Sequence, residues 1–539
     1  MSLRNRIVLP LVLLSLAVLG ACGGNGGNNF TNPNPPPSGS FSNSNLNGTY
    51  VFSVGGIDSQ GAPYALAGTF TADGNGGISG GAVDVNDADL SAPVPNSALT
   101  SSSYKVSVDG RGQATLNISS LGAVTLDFVL QDSSHGLVME SDTNATGSGS
   151  LDLQTAGVSP AGTYAFSMAG FEYVSFVTAN PFATVGNFTV GSGGAITGTE
   201  DFNDNQFAFT NQALTGSVVL GPSSTPSTTL STSFSSNNLG LPSLTFDVIP
   251  ISATHLKFVE MDAGANLIGD AFAQTSTTLP TGNLAFTLAG TFPTTSGFSA
   301  AGGFFVTDGT GNITSASTVD ANNSGSVSPG PIGFSGSYTA AGTGRYTLSL
   351  SSFTDGIAYV AYPFTGGVFL LETDNSGSMS GAAYPQTDQT LAASEGYALN
   401  FTGANLSAGV EVDDIAEFQT DSAAANVTGV VDENFQPGGG PTLGLALSGT
   451  STTPDSNGRG QLAANAGNNS VSTLNGGFGL TYYAVDGTTF PFIETDANGQ
   501  VTMGAFLKQD ATASSAQLAH PHLYVRSLIR SSKAWRKKK

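Results

Sequence analysis

The chain has 539 residues, 71 of them glycine, and only 10% are charged, against roughly a quarter in ordinary soluble domains. A hydrophobic fraction of 39% allows a buried core and excludes a globally disordered chain, and a net charge of −23 argues against nucleic acid as a partner. One Cys excludes an intrachain disulfide and a Cys-based metal cluster, and four His and one Trp leave little material for imidazole catalysis or a Trp-lined pocket.

The first segment, 1–21, reads as an address. Arg4 and Arg6 precede an apolar run, Ile7 to Leu19, too short to span a bilayer as a mature helix. It ends in Leu19-Gly20-Ala21-Cys22. This resembles the lipobox of bacterial lipoproteins, and the resemblance implies lipidation at Cys22. Gly23, rather than Asp, at the next position implies the outer membrane by the same resemblance. The alternative is an ordinary secretory signal followed by an unrelated Cys. Residues 22–46 are rich in Gly, Asn, Pro and Ser and carry no charge, which predicts a flexible tether. Taken as a coil, it spans about 27 Å.

The body is one unit written four times, over 47–156, 157–276, 277–388 and 389–511. Each unit opens on a strand alternating large and small residues: Tyr50/Phe52/Val54, Tyr164/Phe166/Met168, Leu284/Phe286/Leu288 and Tyr397/Leu399/Phe401. That period of two predicts one buried and one wet face. Each unit closes on a second block carrying Glu-x-Asp, followed by a turn and a last strand ending in Gln154, Gln274, Gln386 or Gln509. Asp-Gly and Gly-Arg turns between alternating runs, as in 68–81, 104–118, 302–314 and 456–461, predict hairpins. The expected fold is all-β: four tandem antiparallel meanders of about eight strands each, closed into small barrels, with two-sheet sandwiches as the alternative. Residues 22–519 hold all 38 acids and only Lys105, Arg111, Lys257, Arg345, Arg459 and Lys508 as bases. Strands with so few charges to guard their edges are a second reason to expect closure.

The lipobox, the GTYxF openings, the TADGNG hairpin and the ETD closing blocks are similar to tandem β-repeat bacterial lipoproteins of the acidobacterial type. The likeness covers Leu46 to Gln509 and carries no assigned activity. In outline the eight-strand pattern also resembles lipocalin and avidin barrels, although the body has no Trp for avidin-like stacking.

The recurring pairs Glu140/Asp142, Glu260/Asp262, Glu372/Asp374 and Glu494/Asp496 are the candidate site residues. On a strand, i and i+2 share a face about 7 Å apart, a spacing similar to the acid/base pair of an inverting glycosidase. Three readings apply: structural acids capping strand ends, cation ligands, or catalytic carboxylates. The first is preferred. Arg111, Arg345 and Arg459 sit in Gly-Arg turns that the second unit lacks, so a fixed Arg–Glu pair cannot be general. Asp-rich stretches at 83–89, 200–205, 319–325 and 431–435 suggest calcium, but none has EF-hand spacing, and solvated hairpin turns are preferred. Gly77-Ile78-Ser79-Gly80-Gly81 fits the nucleophile-elbow pattern only by letter, in a strand–turn–strand context without its His. His135 and His255 recur before the Glu block in two units only, which favours a turn role.

Residues 512–539 form a basic tail, with seven Lys and Arg and no acid over 520–539. Spaced as a helix, Arg526, Arg530, Lys533 and Lys537 oppose Tyr524, Leu528 and Trp535, which predicts membrane-surface binding, the alternative being an unstructured tail. The whole reads as an outer-membrane lipoprotein of the cell envelope, held by its N-terminal lipid. Its four β-domains would form an extended arm for a structural, adhesive or surface role toward an envelope or surface glycan or protein. No enzyme activity, cofactor or metal is expected. The alternatives are a module holding small apolar or glycan ligands in its barrel mouths, and a glycan hydrolase using the Glu-x-Asp pairs.

Overall fold

The computed structural model describes residues 36–175, 178–219, 230–236, 244–292, 297–351, 357–466 and 477–513. Cys22, the tether up to residue 35 and the basic tail from 514 lie outside the described residues. The described chain is all-β, its only helical turns being the 3-10 segments Asn43–Asn45 and Ser192–Gly194.

The first unit is a closed antiparallel barrel. Its strands are β1 (Asn47–Asp58), β2 (Pro63–Asp73), β3 (Gly77–Asp87), β4 (Val94–Val106), β5 (Arg111–Ile118), β6 (Gly122–Leu130), β7 (His135–Ser141) and β8 (Ala145–Leu153). Each pairs with its chain neighbour, and β8 returns to β1. The second and fourth units, whose strands run from Gly162 to Ala273 and from Gly396 to Lys508, are closed barrels of eight strands too. The strands of the third, Gly282 to Pro385, form a nine-stranded sheet in which Gly297–Thr307 also pairs with Asn312–Asn323; Ser326–Val327 adds a two-residue ladder to the latter strand. Units 1, 2 and 4 are thus the closed barrels expected from the alternation, and the third is a nine-stranded sheet rather than the expected closed barrel.

The alternating large residues fill the interiors. Tyr50, Phe52 and Val54 join Phe70, Leu126 and Phe128 in the first core, and Tyr397, Phe418, Phe490 and Phe506 pack at centroid distances of 4.6–5.7 Å in the fourth. Small residues close the ring of strands. A Cβ at Gly149 on β8 would lie 1.7 Å from the Ser53 carbonyl oxygen on β1, so only glycine lets these strands meet. The Asp-Gly hairpins form as expected: Asp73 Oδ1 accepts from Asn75 N at 2.7 Å and Gly77 N at 2.9 Å, and Gly74 takes φ +77°. Gly77–Gly81 lies on β3, in a strand and not an elbow.

The four units do not extend as an arm. They close on themselves, each packing against the next and the fourth against the first. Val51, Ala65 and Ala67 of unit 1 meet Ile249, Ile251 and Val259 of unit 2. Val185 and Phe272 of unit 2 meet Tyr362, Phe364 and Phe369 of unit 3. Phe298 and Ala300 of unit 3 meet Ile493, Val501 and Met503 of unit 4. Ala398, Ile415 and Leu507 of unit 4 return to Val129, Leu137 and Met139 of unit 1. These side chains come from the outward faces of the units, which is why the paired strands are buried on both sides while β4 and β5 keep an alternating wet face.

Candidate functional site

The polar groups with unusual environments concentrate at the four seams, where one set of contacts recurs. The third strand of each unit, β3 in unit 1, Ala195–Asp204 in unit 2, Asn312–Asn323 in unit 3 and Asn426–Gln436 in unit 4, carries Asp-x-Asn on its outward face. The Asn side chains bind backbone carbonyls of the next unit. Asn86 donates to Glu260 O (2.7 Å) and Ala265 O (3.0 Å), and Asn203 to Glu372 O (3.0 Å) and Gly377 O (2.9 Å). Asn322 donates to Glu494 O (3.0 Å) and Gln500 O (2.8 Å), and Asn434 closes the cycle on Glu140 O (2.8 Å) and Ala145 O (2.9 Å).

The Asp two residues earlier receives the Arg of the next unit's Gly-Arg turn. Arg345 is bidentate on Asp201, and Arg459 on Asp320 at 2.8 and 2.9 Å. Arg111 reaches Asp432 at 3.5 Å and Asp109 at 2.8 Å. Tyr483 adds a 2.7 Å hydrogen bond to Asp320, and the Tyr362 hydroxyl one to Asp201. Unit 2 has no such Arg. At that seam Asp84 faces Asp247, and burial, then the Asp247 charge, pushes its carboxyl up to about 8. The terminal Gln of each unit completes the set. Gln154 donates to Pro250 O, Gln274 to Pro363 O, Gln386 to Ala484 O and Gln509 to Leu130 O, all at 2.6–2.9 Å.

The candidate pairs fall at these seams, and each member has a distinct place. The Asp ties two strands at a turn. Asp142 accepts from Asn144 N and Thr125 N, Asp374 from Ser376 N and Ala358 N, and Asp496 from Asn498 N and Gly479 N. Asp262 accepts from Thr245 N. The Glu is buried, on the barrel-facing side after Val138, Phe258, Leu370 or Phe492. Burial first, and the neighbouring Asp among the further causes, pushes Glu372 up to about 7, Glu494 to about 8, and Glu140 and Glu260 well above the usual range. Glu494 is held by Asn498 and Thr502, and Glu372 by Met379 N and Ser376.

The Arg partner is thus the Asp of the preceding unit, not the Glu. In the stretches at 83–89, 200–205, 319–325 and 431–435, read from sequence as solvated turns, the Asp-x-Asn residues lie on strands at the seams, and turn residues such as Asp89 follow them. Their shared Asp-x-Asn was the available signal. Among the described residues no group of three or more His, Cys, Asp or Glu is placed to hold a metal ion. His135 approaches Asp132 at 3.3 Å, and His255 meets Asp270 at 2.6 Å beside Lys257, in a buried ion cluster.

The strand order orients the whole ring. Odd strands start at the end where the chain enters, so every terminal Gln lies at this entry end, and its acceptors do too. Every Asn acceptor lies at the far end. Adjacent units therefore stand entry end to entry end. The described chain also begins and finishes there: Ser38 Oγ donates to Gln509 O at 2.9 Å and Asn45 Nδ2 to Ala511 O at 3.0 Å.

No protein-family model matches the sequence, and none of the curated proteins is similar to it. Among solved structures, a variant of transferrin binding protein B from Haemophilus parasuis Hp5 aligns at 11% identity, covering 74% of this chain and 86% of that one, with a TM-score of 0.20. The isotype 1 protein of the same name from serogroup B Neisseria meningitidis aligns at 12% identity over 70% and 84%, with a TM-score of 0.18. At such TM-scores the likeness carries no argument about this chain.

Proposed function

We propose that the chain is a lipid-anchored cell-envelope protein, attached through Cys22 at the outer membrane, whose ring of units is a non-enzymatic platform for a surface partner. The observation that carries this reading is that both ends of the described chain leave the ring at its entry end. A lipid on Cys22 would then act from the end of the ring where residue 36 lies, which would leave the far ends of the four units for a partner. Three acyl chains, the lipidation that the lipobox resemblance implies, exceed the two signals that stable anchoring needs.

The rival readings have less support. Barrel mouths for small ligands require interior room, and the interiors are filled with aromatic and aliphatic side chains. A hydrolase using Glu-x-Asp needs carboxylates open to substrate, and here the Glu is buried and the Asp is occupied by backbone N–H groups.

Fractionation tests the proposal. Cys22→Ala is expected to shift the protein from the membrane to the soluble fraction. Retention in the membrane after that change and removal of residues 514–539 overturns it.

A further inference from the structure

Two features of the far face bear on a partner: a recurring exposed apolar residue, and acids without any basic residue among those described, whereas the entry face mixes exposed acids such as Asp73 and Asp308 with bases. Among the described residues the exposed large apolar side chains are Leu90, Val108, Leu121, Phe207, Ile332 and Leu443. All but Val108 lie at far ends. Four lie in or just after the connection between the third and fourth strands, one in each unit: Leu90 in the loop, and Phe207, Ile332 and Leu443 at the start of the fourth strand, with Phe207 66% exposed. Single exposed apolar residues need no explanation, but recurrence on the same hairpin of every unit does. These hairpins follow directly on the seam residues Asn86, Asn203, Asn322 and Asn434, so the ring holds all four on one side.

The second feature is the sorting of charge. Lys105, Arg111, Lys257, Arg345, Arg459 and Lys508, the basic residues among those described, lie in the entry half of their strands or in its turns, with Arg111, Lys257 and Arg345 buried in ion pairs. The far end has none. It carries acids around the apolar tips: Asp89 beside Leu90, Asp204 beside Phe207, and the turn residues Asp142, Asp262, Asp374 and Asp496. Apolar anchors within a rim of one charge sign fit a partner of opposite sign, which gains attraction and register from the rim and desolvation at the anchors. An anionic membrane is repelled by the same rim.

We propose that the far face docks a protein segment carrying Lys or Arg interspersed with apolar side chains, the hairpin tips receiving the apolar ones. This rests on the reading of the ring as an interaction platform, but its test does not depend on the anchor. The test uses the full chain with Cys22→Ala and, as probe, a synthetic peptide of alternating lysine and leucine, with lysine–serine and glutamate–leucine peptides as controls. Binding is measured by calorimetry near physiological salt, where loose charge attraction is screened beyond about 8 Å.

The lysine–leucine peptide is expected to bind at least about tenfold more tightly than either control, a difference of about 1.4 kcal/mol. Phe207→Ser combined with Leu443→Ser should remove that advantage with an unchanged melt, whereas Val108→Ser at the entry end should not. Equal binding of the lysine–serine peptide, or equal binding to the far-face variant, overturns the proposal. So does concentration-dependent self-association that the far-face variant abolishes, since the occupant is then a second copy of the chain. Loss of membrane attachment without loss of peptide binding would leave this proposal standing and concern the anchor alone.

Discussion

Arg345 of the third unit forms a bidentate ion pair with Asp201 of the second, Nε to Oδ2 at 2.7 Å and Nη2 to Oδ1 at 2.6 Å, across 144 residues of chain. Both side chains are buried, at 6% and 0% exposure. The fork geometry of guanidinium on carboxylate fixes the register of two units that no strand ladder joins.

Breaking that pair leaves a lone buried charge. Arg345→Met is expected to destabilise the ring by about 3–5 kcal/mol, whereas Arg345→Met with Asp201→Leu should recover much of the loss. Denaturant unfolding of both variants checks this. A single change without effect would mean that the pair is solvated.

Asn434 holds the seam that closes the ring, with two of its acceptors on Glu140 and Ala145. Asn434→Ala leaves those carbonyls without their donor and should cost about 1–3 kcal/mol. Hydrogen exchange should rise around residues 137–147 and not around 257–267, which Asn86 holds. Equal changes at both places would mean that the seams are not independent.

At Gly149 the expectation is steric. Alanine there must push Cβ into the Ser53 carbonyl, 1.7 Å away, so β1 and β8 separate and the first barrel opens. Gly149→Ala should lower the melting temperature sharply, while Gly80→Ala, which meets nothing within 4 Å, should change it little.

The buried carboxyls make stability depend on pH in a definite direction. Asp84 and Glu494 are pushed up to about 8 and Glu372 to about 7, so the folded ring binds protons that the unfolded chain releases. Their contribution is complete below the unfolded carboxyl range, about pH 4, and is lost as pH rises through 7 to 8. Turn acids act oppositely: Asp421 is drawn down to about 2 by its side-chain hydrogen bond with Asn426, and its share is lost only as pH falls through that value. Melting temperature should therefore fall steadily from pH 5 to pH 9. A flat profile would show that these carboxyls are ionised in the fold.

Within a unit the sequence was legible because its signals are local. Tyr50, Phe52 and Val54 announce an inward face by alternation, and Asp73-Gly74 announces its turn by chemistry. Between units the signals were visible but their partners were not. Arg111, Arg345 and Arg459 stood out as Gly-Arg turns, yet their partners are Asp residues more than a hundred positions away in another repeat. Asp84, Asp201, Asp320 and Asp432 looked like turn acids because Asp and Asn favour turns, whereas here both point outward from a strand into a neighbour. The extended arm failed for the same reason: nothing near Ile415 or Leu507 declares that Leu137 will cover it. Glu140 and its counterparts lie on the face of the apolar residue two positions earlier, where burial raises their pKa, and are not the exposed strand-end caps preferred from the sequence.

The meeting of the two ends of the described chain, through Ser38 and Gln509, has a consequence for connectivity. The seam between the fourth and first units carries an Asn, an Arg and a terminal Gln, as do the two seams that the third unit makes, but within the described residues no linker crosses it. The ring therefore has no structurally privileged first barrel. A circular permutant joining 513 to 36 through a short linker and opened between 154 and 162 keeps every seam contact. Only the one interface without a covalent bridge changes, and the N-terminal position passes to a different barrel.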